Sequence, residues 1–559
     1  MAARSTGEIE EFRPAADRNT NRLISFDKTG FQAGEPRMNA TWEWNDINEQ
    51  KAKRRFGITH YRAGQRKLIE AVIGGRDTLG VLPTGGGKSL CYQLPALFLP
   101  RAVLVVSPLI SLMQDQQEKL QERSIPAAGL NSTLNSSEEQ ETIKAIQRRQ
   151  AEIIYVTPER LENPEYLKIL KKAGVSLVVV DEAHCVSQWG HDYRPAYLSL
   201  RNAILDLGRP PVLALTATAT DEVAADILMQ LDLPEAEVIS IGIERKNLAF
   251  EVVRTVNDEV KRDRLKDLLQ EQSGGAGIIY VPTVKQVDEL CKWLIDQGFR
   301  AGQYHGRMKM PMRESNQQAF RANQVDVMVA TKAFGLGIDK QDIRLVVHYA
   351  VPDSIETYVQ ETGRAGRDGK PARAILFYRL EDRRVQSYFL GGKYPRRDES
   401  LALYRTLDQM PTREDLGDRS AEQWLSEVTA LTEKRVKVIL ALLESTGIVE
   451  RKPHVRKIRD FNTDEEFAVF LEEYEQRHNG DRQRLDAMML YGQITTCRMR
   501  YLLDYFDEEV ASDCGRCDNC RAAQEAAENT FDADSALPGG AAKPAAPSCG
   551  VGVGVAVNS

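Results

Sequence analysis

The stretch Thr78-Leu-Gly-Val-Leu-Pro-Thr-Gly-Gly-Gly-Lys-Ser89 decides the fold. It begins with an apolar run, Thr78–Leu82, and leads into a predicted helix, Leu90–Phe98. Glycine backbone N–H groups in such a turn wrap phosphate oxygens, while a lysine reaches the β- and γ-phosphates and a hydroxyl ligates Mg²⁺. This strand–turn–helix context predicts a P-loop, although Leu82 stands where the general motif has glycine. The candidate ligands are Thr84, Gly85, Gly86, Gly87, Lys88 and Ser89.

An acidic pair supplies the second half of a nucleotide site. Asp181-Glu182-Ala183-His184 directly follows the apolar run Ser176–Val180. We expect Asp181 to hold Mg²⁺ and Glu182 to orient and deprotonate an attacking water. Acidic residues after a strand more often cap a helix, but a P-loop in the same chain favours the catalytic interpretation.

Short apolar runs alternate with amphipathic helices along most of the chain. This pattern is typical of buried parallel sheets, and it occurs twice, so we predict two α/β units in tandem. The first unit contains the runs Ala102–Val106, Glu152–Val156, Ser176–Val180 and Pro211–Leu215. The second contains Gly277–Val281, Val325–Ala330, Leu345–His348 and Ala374–Phe377.

The pattern becomes helical after about residue 384. Residues 400–461 are predicted to form three helices, the third over Thr432–Ser445, and then a hairpin of Gly447–Lys452 and Val455–Arg459. This is the outline of a winged helix. We hypothesise that its basic residues hold duplex DNA through the phosphates; the alternative is a solvated basic hairpin. These residues are Arg451, Lys452, Arg456, Lys457 and Arg459.

Four cysteines near the C-terminus form a metal-ligand pattern. Cys497, Cys514, Cys517 and Cys520 give the spacing Cys-x16-Cys-x2-Cys-x2-Cys. Four thiolates suit one tetrahedral Zn²⁺ and leave no open coordination position, so we predict a structural zinc site. The other four cysteines are scattered and are interpreted as core or tail residues.

Composition limits the class of protein. The chain has 559 residues, enough for about three or four domains at ~150 residues each. Its 74 basic and 81 acidic residues give a net charge of -7, which argues against a uniformly basic nucleic-acid binder but permits local basic grooves. The longest apolar runs are strand-length and the N-terminus lacks an apolar signal core, so we expect no membrane span, no secretion and a reducing compartment.

Together these motifs resemble superfamily 2 helicases, and within them the RecQ family. The resemblance covers about Phe56–Tyr378 and resumes at Thr496–Cys520. It implies an α/β fold with two tandem RecA-like P-loop lobes and ATP between them. Arg62 and Gln65 match motif 0, in which the family's arginine and glutamine contact adenine. The other matched motifs are Ser107–Asp115 (Ia), Thr157–Glu159 (Ib), Leu215–Thr218 (III), Tyr280–Thr283 (IV) and Ala330–Asp339 (V).

The stretch Cys185–Pro195 is the most family-specific, because it resembles the aromatic-rich loop of RecQ helicases. Trp189 and Tyr193 offer ring faces for base stacking, and His191 and Arg194 are placed to sense both DNA and the nearby catalytic carboxylate. We predict that these four residues contact DNA.

Motif VI is matched by Gln360–Gly369. It contains two arginines three residues apart, and we expect them to project from one face of a helix. The resemblance implies that Arg364 and Arg367 reach across the cleft to the γ-phosphate as arginine fingers, which stabilise transition-state charge when the lobes close.

The order of the C-terminal segments differs from the common RecQ arrangement, in which the zinc module follows the second lobe and precedes the winged helix. Here the winged-helix-like segment comes first. The predicted division is an arm at 1–40, lobe 1 at 41–242, lobe 2 at 243–390, a winged-helix-like insertion at 391–480, a zinc-binding module at 481–522 and a disordered tail at 523–559.

We therefore expect an ATP-dependent DNA helicase that uses Mg²⁺ and Zn²⁺, with 3′ to 5′ polarity and roles in recombination and repair implied by the family. Expected partners are single-stranded and forked duplex DNA, together with repair or single-strand-binding proteins. The expected location is the cytoplasm and nucleoid of a prokaryote or the nucleus of a eukaryote. The alternatives are a DEAH-type RNA helicase and a DNA-binding or strand-annealing protein with a vestigial ATPase.

Overall fold

The computed structural model describes residues 46–535, apart from 188–189, 191–193, 198, 273, 336–339, 394–396, 418, 446, 452–453, 462–463 and 511. Among the helices of the described ranges, none is both long and apolar enough to cross a bilayer.

Lobe 1 is built on a seven-stranded sheet whose strands all pair in parallel, in the order β3-β4-β2-β5-β6-β1-β7. Its strands are β1 Thr78–Val81, β2 Ala102–Val106, β3 Ala127–Leu130, β4 Ile153–Val156, β5 Val175–Asp181, β6 Val212–Thr216 and β7 Glu237–Ser240. Its helices are α1 Asp46–Phe56, α2 Gln65–Ile73, α3 Leu90–Ala96, α4 Ile110–Glu122, α5 Ser136–Gln147, α6 Pro158–Leu161, α7 Pro164–Ala173, α8 Leu200–Asp206 and α9 Asp221–Gln230.

Lobe 2 repeats the design with six parallel strands in the order β10-β11-β9-β12-β13-β8. The strands are β8 Leu248–Arg254, β9 Ala276–Tyr280, β10 Ala301–Tyr304, β11 Val327–Ala330, β12 Ile343–His348 and β13 Ala372–Tyr378. The helices are α10 Asp258–Glu271, α11 Val284–Asp296, α12 Met310–Arg321 and α13 Ile355–Thr362. Each apolar run of the sequence is thus confirmed as a strand, whereas β3, β7, β8 and β10 were not predicted.

Parallel order explains where the motifs lie. In lobe 1, β6 lies between β1 and β5, and the carboxyl ends of parallel strands share one edge of the sheet. The P-loop after β1, the Thr216–Thr218 segment after β6 and the acidic pair at the end of β5 therefore meet at this edge. All residues of β1, β5 and β6 are buried, because helices cover both faces of the sheet.

The C-terminal part is helical, as predicted. Its elements are α14 Asp382–Lys393, α15 Arg397–Thr406, α16 Arg413–Leu416, α17 Ala421–Thr429, α18 Glu433–Ser445, β14 Val449–Glu450, β15 Arg456–Lys457, α19 Asp464–Tyr491, α20 Arg498–Tyr505 and α21 Asp518–Ser535. The predicted hairpin is confirmed, since β14 and β15 pair antiparallel. The segment from α15 to β15 has its own small core, which includes Leu425, Ile439 and Leu440. It is inserted between α14 and α19, which pack against each other.

The zinc module is continuous with lobe 2. Residues from α19, α20 and the cysteine cluster share one hydrophobic core with the lobe 2 sheet. At its centre the rings of Tyr358 in α13 and Tyr491 in α19 lie 5.2 Å apart between centroids. Both tyrosines are fully buried. The module therefore packs directly behind the helix that leads into motif VI.

Three predicted domain boundaries fall inside helices. The boundary at 390/391 divides α14, that at 480/481 divides α19 and that at 522/523 divides α21. The prediction of a disordered tail is wrong for residues 523–535, which continue α21 from the zinc module. The predicted N-terminal arm, 1–40, and the rest of the predicted tail lie outside the described residues.

Two ion pairs that involve α14 differ in burial. The buried pair joins α14 to α10 of lobe 2, and the exposed pair joins α14 to α19. Lys261 in α10 is 2% exposed and lies 3.1 Å from Asp382, whereas Arg383 and Asp486 form a pair with both side chains 48% exposed. Asp382→Ala leaves a buried ammonium unpaired and is expected to destabilise the protein by about 3 kcal/mol. Asp486→Ala, the control, is expected to cost less than about 1 kcal/mol. Thermal unfolding of both variants measures the difference; equal melting temperatures would contradict it.

Candidate active site

The P-loop backbone requires its glycines. Gly85 and Gly87 have φ angles of 84° and 81°, in the left-handed region that favours glycine. A Cβ at Gly86 would lie 2.9 Å from the carbonyl oxygen of Pro83, so no side chain fits there without a shift. The loop therefore presents backbone on its inner side, as phosphate binding requires.

Two predicted adenine contacts lie against the P-loop. The Gln65 amide donates to the carbonyl oxygens of Gly86 and Gly87 at 3.1 and 3.0 Å. The Arg62 guanidinium donates to the carbonyl oxygen of Gly85. Both side chains thus support the loop directly, and their contact with adenine stays a prediction.

Asp181 lies at the buried end of β5 and is 7% exposed. Burial raises the pKa of Asp181 to about 7; the neighbouring Glu182 carboxylate adds to the rise and Lys88 opposes it. Ser107 of motif Ia donates to Asp181 Oδ2 at 3.5 Å. A buried carboxyl group whose charge is opposed by its surroundings fits a Mg²⁺ ligand, because a divalent cation supplies the missing positive charge.

Glu182 is held in a strained conformation. Its φ and ψ are 49° and 50°, the left-handed region that non-glycine residues rarely occupy. Its buried Oε2 accepts no hydrogen bond from the described residues and lies 3.5 Å from His184 Nδ1. This nitrogen is also 3.0 Å from Thr216 Oγ1 of motif III. The hydrogen-bonding capacity of this carboxylate oxygen is therefore unused among the described residues, and the histidine connects the carboxylate to motif III.

The predicted geometry of motif VI is wrong. Helix α13 ends at Thr362, so Arg364 and Arg367 lie in the turns that follow rather than on one helix face. Gly363 caps the helix, and Gly366 has a φ of 60°, which turns the chain away from the helical path. The two arginines consequently have different surroundings.

Arg367 faces lobe 1, whereas Arg364 is buried in lobe 2. A Cβ built at Gly85 would lie 3.1 Å from Arg367 Cγ, and one at Gly363 would lie 2.9 Å from Thr84 Cβ. Motif VI therefore packs onto the P-loop across the lobe interface. Arg364 is 4% exposed and donates to the carbonyl oxygen of Gly335 in motif V.

A further interlobe contact was not predicted from the sequence. Arg321 at the end of α12 lies 2.6 Å from Asp115 in α4, and Asp115 also pairs with Lys119 at 2.9 Å. The carboxylate is 5% exposed. Residues 206 positions apart meet here, so no local pattern identifies the pair.

Of the predicted DNA contacts in the aromatic-rich loop, Trp189, His191 and Tyr193 lie outside the described residues and stay predictions. Arg194 donates through its side chain to the carbonyl oxygen of Pro108, at 3.3 Å. This bond connects the loop to motif Ia, which borders the same edge of the sheet.

The basic hairpin is paired with acidic residues of its own surroundings. Arg456 Nε donates to Glu450 at 2.6 Å, Lys457 lies 2.6 Å from Asp460 and also contacts Asp408. Arg451 and Arg459 pair with glutamates as well, and Lys452 lies outside the described residues. This charge balance favours the solvated-hairpin alternative over a phosphate-binding wing.

The four predicted zinc ligands come together. The Sγ atoms of Cys497, Cys514, Cys517 and Cys520 all lie within 4.8 Å of one another. Backbone N–H groups of Cys514 and Cys520 donate to the sulfurs of Cys497 and Cys517 at 3.2 and 3.4 Å, which suits thiolates. Four convergent sulfurs fit a tetrahedral structural Zn²⁺.

An ion pair fixes this cluster to lobe 2. Arg498, 3% exposed, donates to both carboxylate oxygens of Asp518 at 2.6 and 2.9 Å. Asp518 Oδ2 also accepts from the backbone N–H of Val252 in β8 at 2.9 Å. The ion pair therefore joins α20 to α21, and Asp518 connects both helices to the edge strand β8.

The fold and site define a P-loop ATPase of the helicase type, and comparisons with known proteins agree. Models for "DEAD/DEAH box helicase", "Helicase conserved C-terminal domain" and "RecQ zinc-binding" match residues 62–227, 260–369 and 454–521. The chain is similar to a yeast Dbp5 variant (S. cerevisiae) bound to RNA and ADP BeF3, with a TM-score of 0.51, 20% identity and coverage of 61% of this chain and 91% of that one. At that identity the likeness shows the fold alone.

Two bacterial relatives match most of the chain. The probable ATP-dependent DNA helicase RecS of Bacillus subtilis (strain 168) is 37% identical over 470 residues, which cover 83% of this chain and 90% of that protein. The ATP-dependent DNA helicase RecQ of the same organism is 34% identical over 485 residues, 86% of this chain and 68% of that protein. The chain therefore belongs to the RecQ family of ATP-dependent DNA helicases. ATP and Mg²⁺ serve the interlobe site, and the cysteine cluster binds Zn²⁺.

Zinc content tests the cysteine cluster. Purified protein is expected to release one Zn²⁺ per chain on treatment with a mercurial reagent, read with a chromophoric chelator, because four thiolates converge on one point. Cys517→Ser is expected to lose most of this zinc and to melt at a lower temperature. Cys291→Ser, a buried cysteine outside the cluster, is the control and keeps its zinc. Wild-type protein with no zinc, or Cys517→Ser with a full complement, would contradict the assignment.

Proposed function

We propose that this RecQ-family helicase separates duplex DNA by moving 3′ to 5′ along one strand, with each ATP hydrolysed between the two lobes. The observation that carries the proposal is the packing of motif VI on the P-loop, Gly363 against Thr84 and Arg367 against Gly85. Hydrolysis that needs groups from both lobes couples the chemistry to lobe movement. The 3′ to 5′ direction rests on the family alone.

In lobe 1 each group has a distinct task. The P-loop amides and Lys88 bind the phosphates, while Ser89 and Asp181 hold Mg²⁺, which when bound neutralises phosphate charge. Glu182, whose Oε2 accepts no hydrogen bond from the described residues, orients the attacking water and accepts its proton. His184, 3.0 Å from Thr216, positions this carboxylate relative to motif III.

In lobe 2, Arg364 and Arg367 have different roles. Arg367, beside the P-loop, is the arginine finger and stabilises charge that develops on the transferred phosphoryl group. Arg364, bonded to Gly335 of motif V, connects motif VI to the segment that follows β11. This division replaces the expectation that both arginines act as fingers.

The proposed substrates are single-stranded and forked duplex DNA, in recombination and repair. Base stacking on Trp189 and Tyr193, with help from His191 and Arg194, is the proposed grip on the strand. Repair or single-strand-binding proteins are further proposed partners. The net charge of -7 fits a motor whose DNA contacts are confined to a local track.

The RNA-helicase alternative shares the ATP chemistry but gives no reason for the RecQ zinc module. Unwinding assays on DNA and RNA duplexes with 3′ or 5′ tails distinguish the two: we expect activity on 3′-tailed DNA. Faster unwinding of RNA, or a requirement for a 5′ tail, would contradict the proposal.

Lys88→Ala separates an active motor from a protein with a vestigial ATPase. Loss of the lysine removes charge stabilisation from the phosphates, so DNA-stimulated ATP hydrolysis is expected to fall by at least about 10²-fold. Lys168→Ala is the control, because Lys168 is an exposed lysine of α7 in the same lobe that pairs with Glu165 of the same helix; this variant should keep DNA-stimulated hydrolysis near the wild-type level. A wild-type ATPase that DNA does not stimulate would contradict the proposed function.

A further inference from the structure

The linker that joins the lobes, residues 241–247 between β7 and β8, lies against motif VI. Arg245 Nη1 donates to the carbonyl oxygen of Gly363 at 2.8 Å, and Nη2 donates to that of Gly366. Asn247 Nδ2 donates to the carbonyl oxygens of Gly366 and Lys370, both at 2.8 Å. Two side chains of the linker thus bind two carbonyl groups within motif VI and a third, that of Lys370, directly after it.

Two of these carbonyls, those of Gly363 and Gly366, belong to the peptide groups that lead into Arg364 and Arg367. Because a peptide group is planar, a bond to the oxygen of Gly363 fixes the plane that carries the N–H of Arg364. A bond to the oxygen of Gly366 fixes the plane that carries the N–H of Arg367 in the same way. The direction in which each arginine leaves the backbone therefore depends on the linker.

The space around Gly366 supports this dependence. A Cβ at Gly366 would lie 2.5 Å from Asn247 Nδ2, and the residue has a φ of 60°. The turn is thus shaped around the Asn247 amide. Arg245 suits its place because a planar guanidinium with five donors bridges two carbonyls, which a single ammonium cannot do in the same geometry. Burial, and secondly the charge of Arg62, lowers the pKa of Arg245 from its ordinary value.

The zinc module holds the other side of the linker. The backbone N–H of Ile243 donates to Glu508 at 2.9 Å. Arg516 donates to Glu244 at 2.8 Å and to the carbonyl oxygen of Leu248 at 3.3 Å. The zinc module therefore holds the linker on one side. On the other side, Arg245 and Asn247 of the linker bind motif VI.

We propose that Arg245 and Asn247 are positioning residues for ATP hydrolysis, which act by orienting Arg367 toward the P-loop. The inference rests on the proposed role of Arg367 as the arginine finger. A small misplacement of a group that acts in the transition state slows the chemical step without weakening ground-state binding.

Arg245→Ala is the first test. The kcat of DNA-stimulated ATP hydrolysis is expected to fall by about 10²-fold, while the Kd for a fluorescent ADP analogue and the melting temperature stay near wild type. Asn247→Asp, which keeps the shape but removes the donor, is expected to lower kcat in the same way and serves if Arg245→Ala does not fold. Arg254→Ala is the matched control, since Arg254 also donates to one backbone carbonyl, that of Gln493, but has no contact with motif VI among the described residues.

A double variant tests whether the loss of kcat in Arg245→Ala depends on Arg367. If Arg245 acts by orienting Arg367, Arg245→Ala combined with Arg367→Ala is no slower than Arg367→Ala alone. Effects that multiply, or a wild-type kcat in both Arg245→Ala and Asn247→Asp, overturn the inference and leave the proposed function standing. A wild-type kcat in Arg367→Ala is a different result, because it overturns the proposed finger itself.

Discussion

The packing of motif VI on the P-loop is the contact on which the rest of the structure depends. Thr84 and Gly363 approach so closely that a side chain at Gly363 would not fit, and Arg367 lies along Gly85. The two α/β lobes each fold around their own sheet, and the proposed catalytic site includes residues of both. A site divided between lobes makes hydrolysis sensitive to lobe position, which is what converts ATP chemistry into movement.

The C-terminal elements support the contact between motif VI and the P-loop by packing on lobe 2 and on the linker. The zinc module shares a core with lobe 2, lies behind the helix that precedes motif VI, and holds the linker through Glu508 and Arg516. The inserted winged-helix-like segment has a separate core and balances its own basic residues with acidic ones. Zinc binding therefore has a structural consequence near the ATP site, even though the four cysteines take no part in the reaction.

Much of this arrangement could be predicted from the sequence, because local chemistry specifies it. Glycines beside a lysine, carboxylates after a buried strand and cysteines at metal spacing identify their sites without knowledge of the fold. The different surroundings of Arg364 and Arg367 could not be predicted, since they depend on where α13 ends. The pairing of Lys457 with Asp408 and the bonds from Arg245 to motif VI join residues that only the folded chain brings together, and no periodicity indicates them.

The most direct test of the central claim measures the interlobe site in its transition-state form. Wild-type protein with single-stranded DNA is expected to retain labelled ADP much longer when aluminium fluoride is present, because a transition-state analogue recruits groups from both lobes. Arg367→Ala should bind ADP as wild type does but lose this additional retention. If Arg367→Ala retains ADP and aluminium fluoride as long as the wild type, the contact between motif VI and the P-loop does not complete the site, and the account is contradicted.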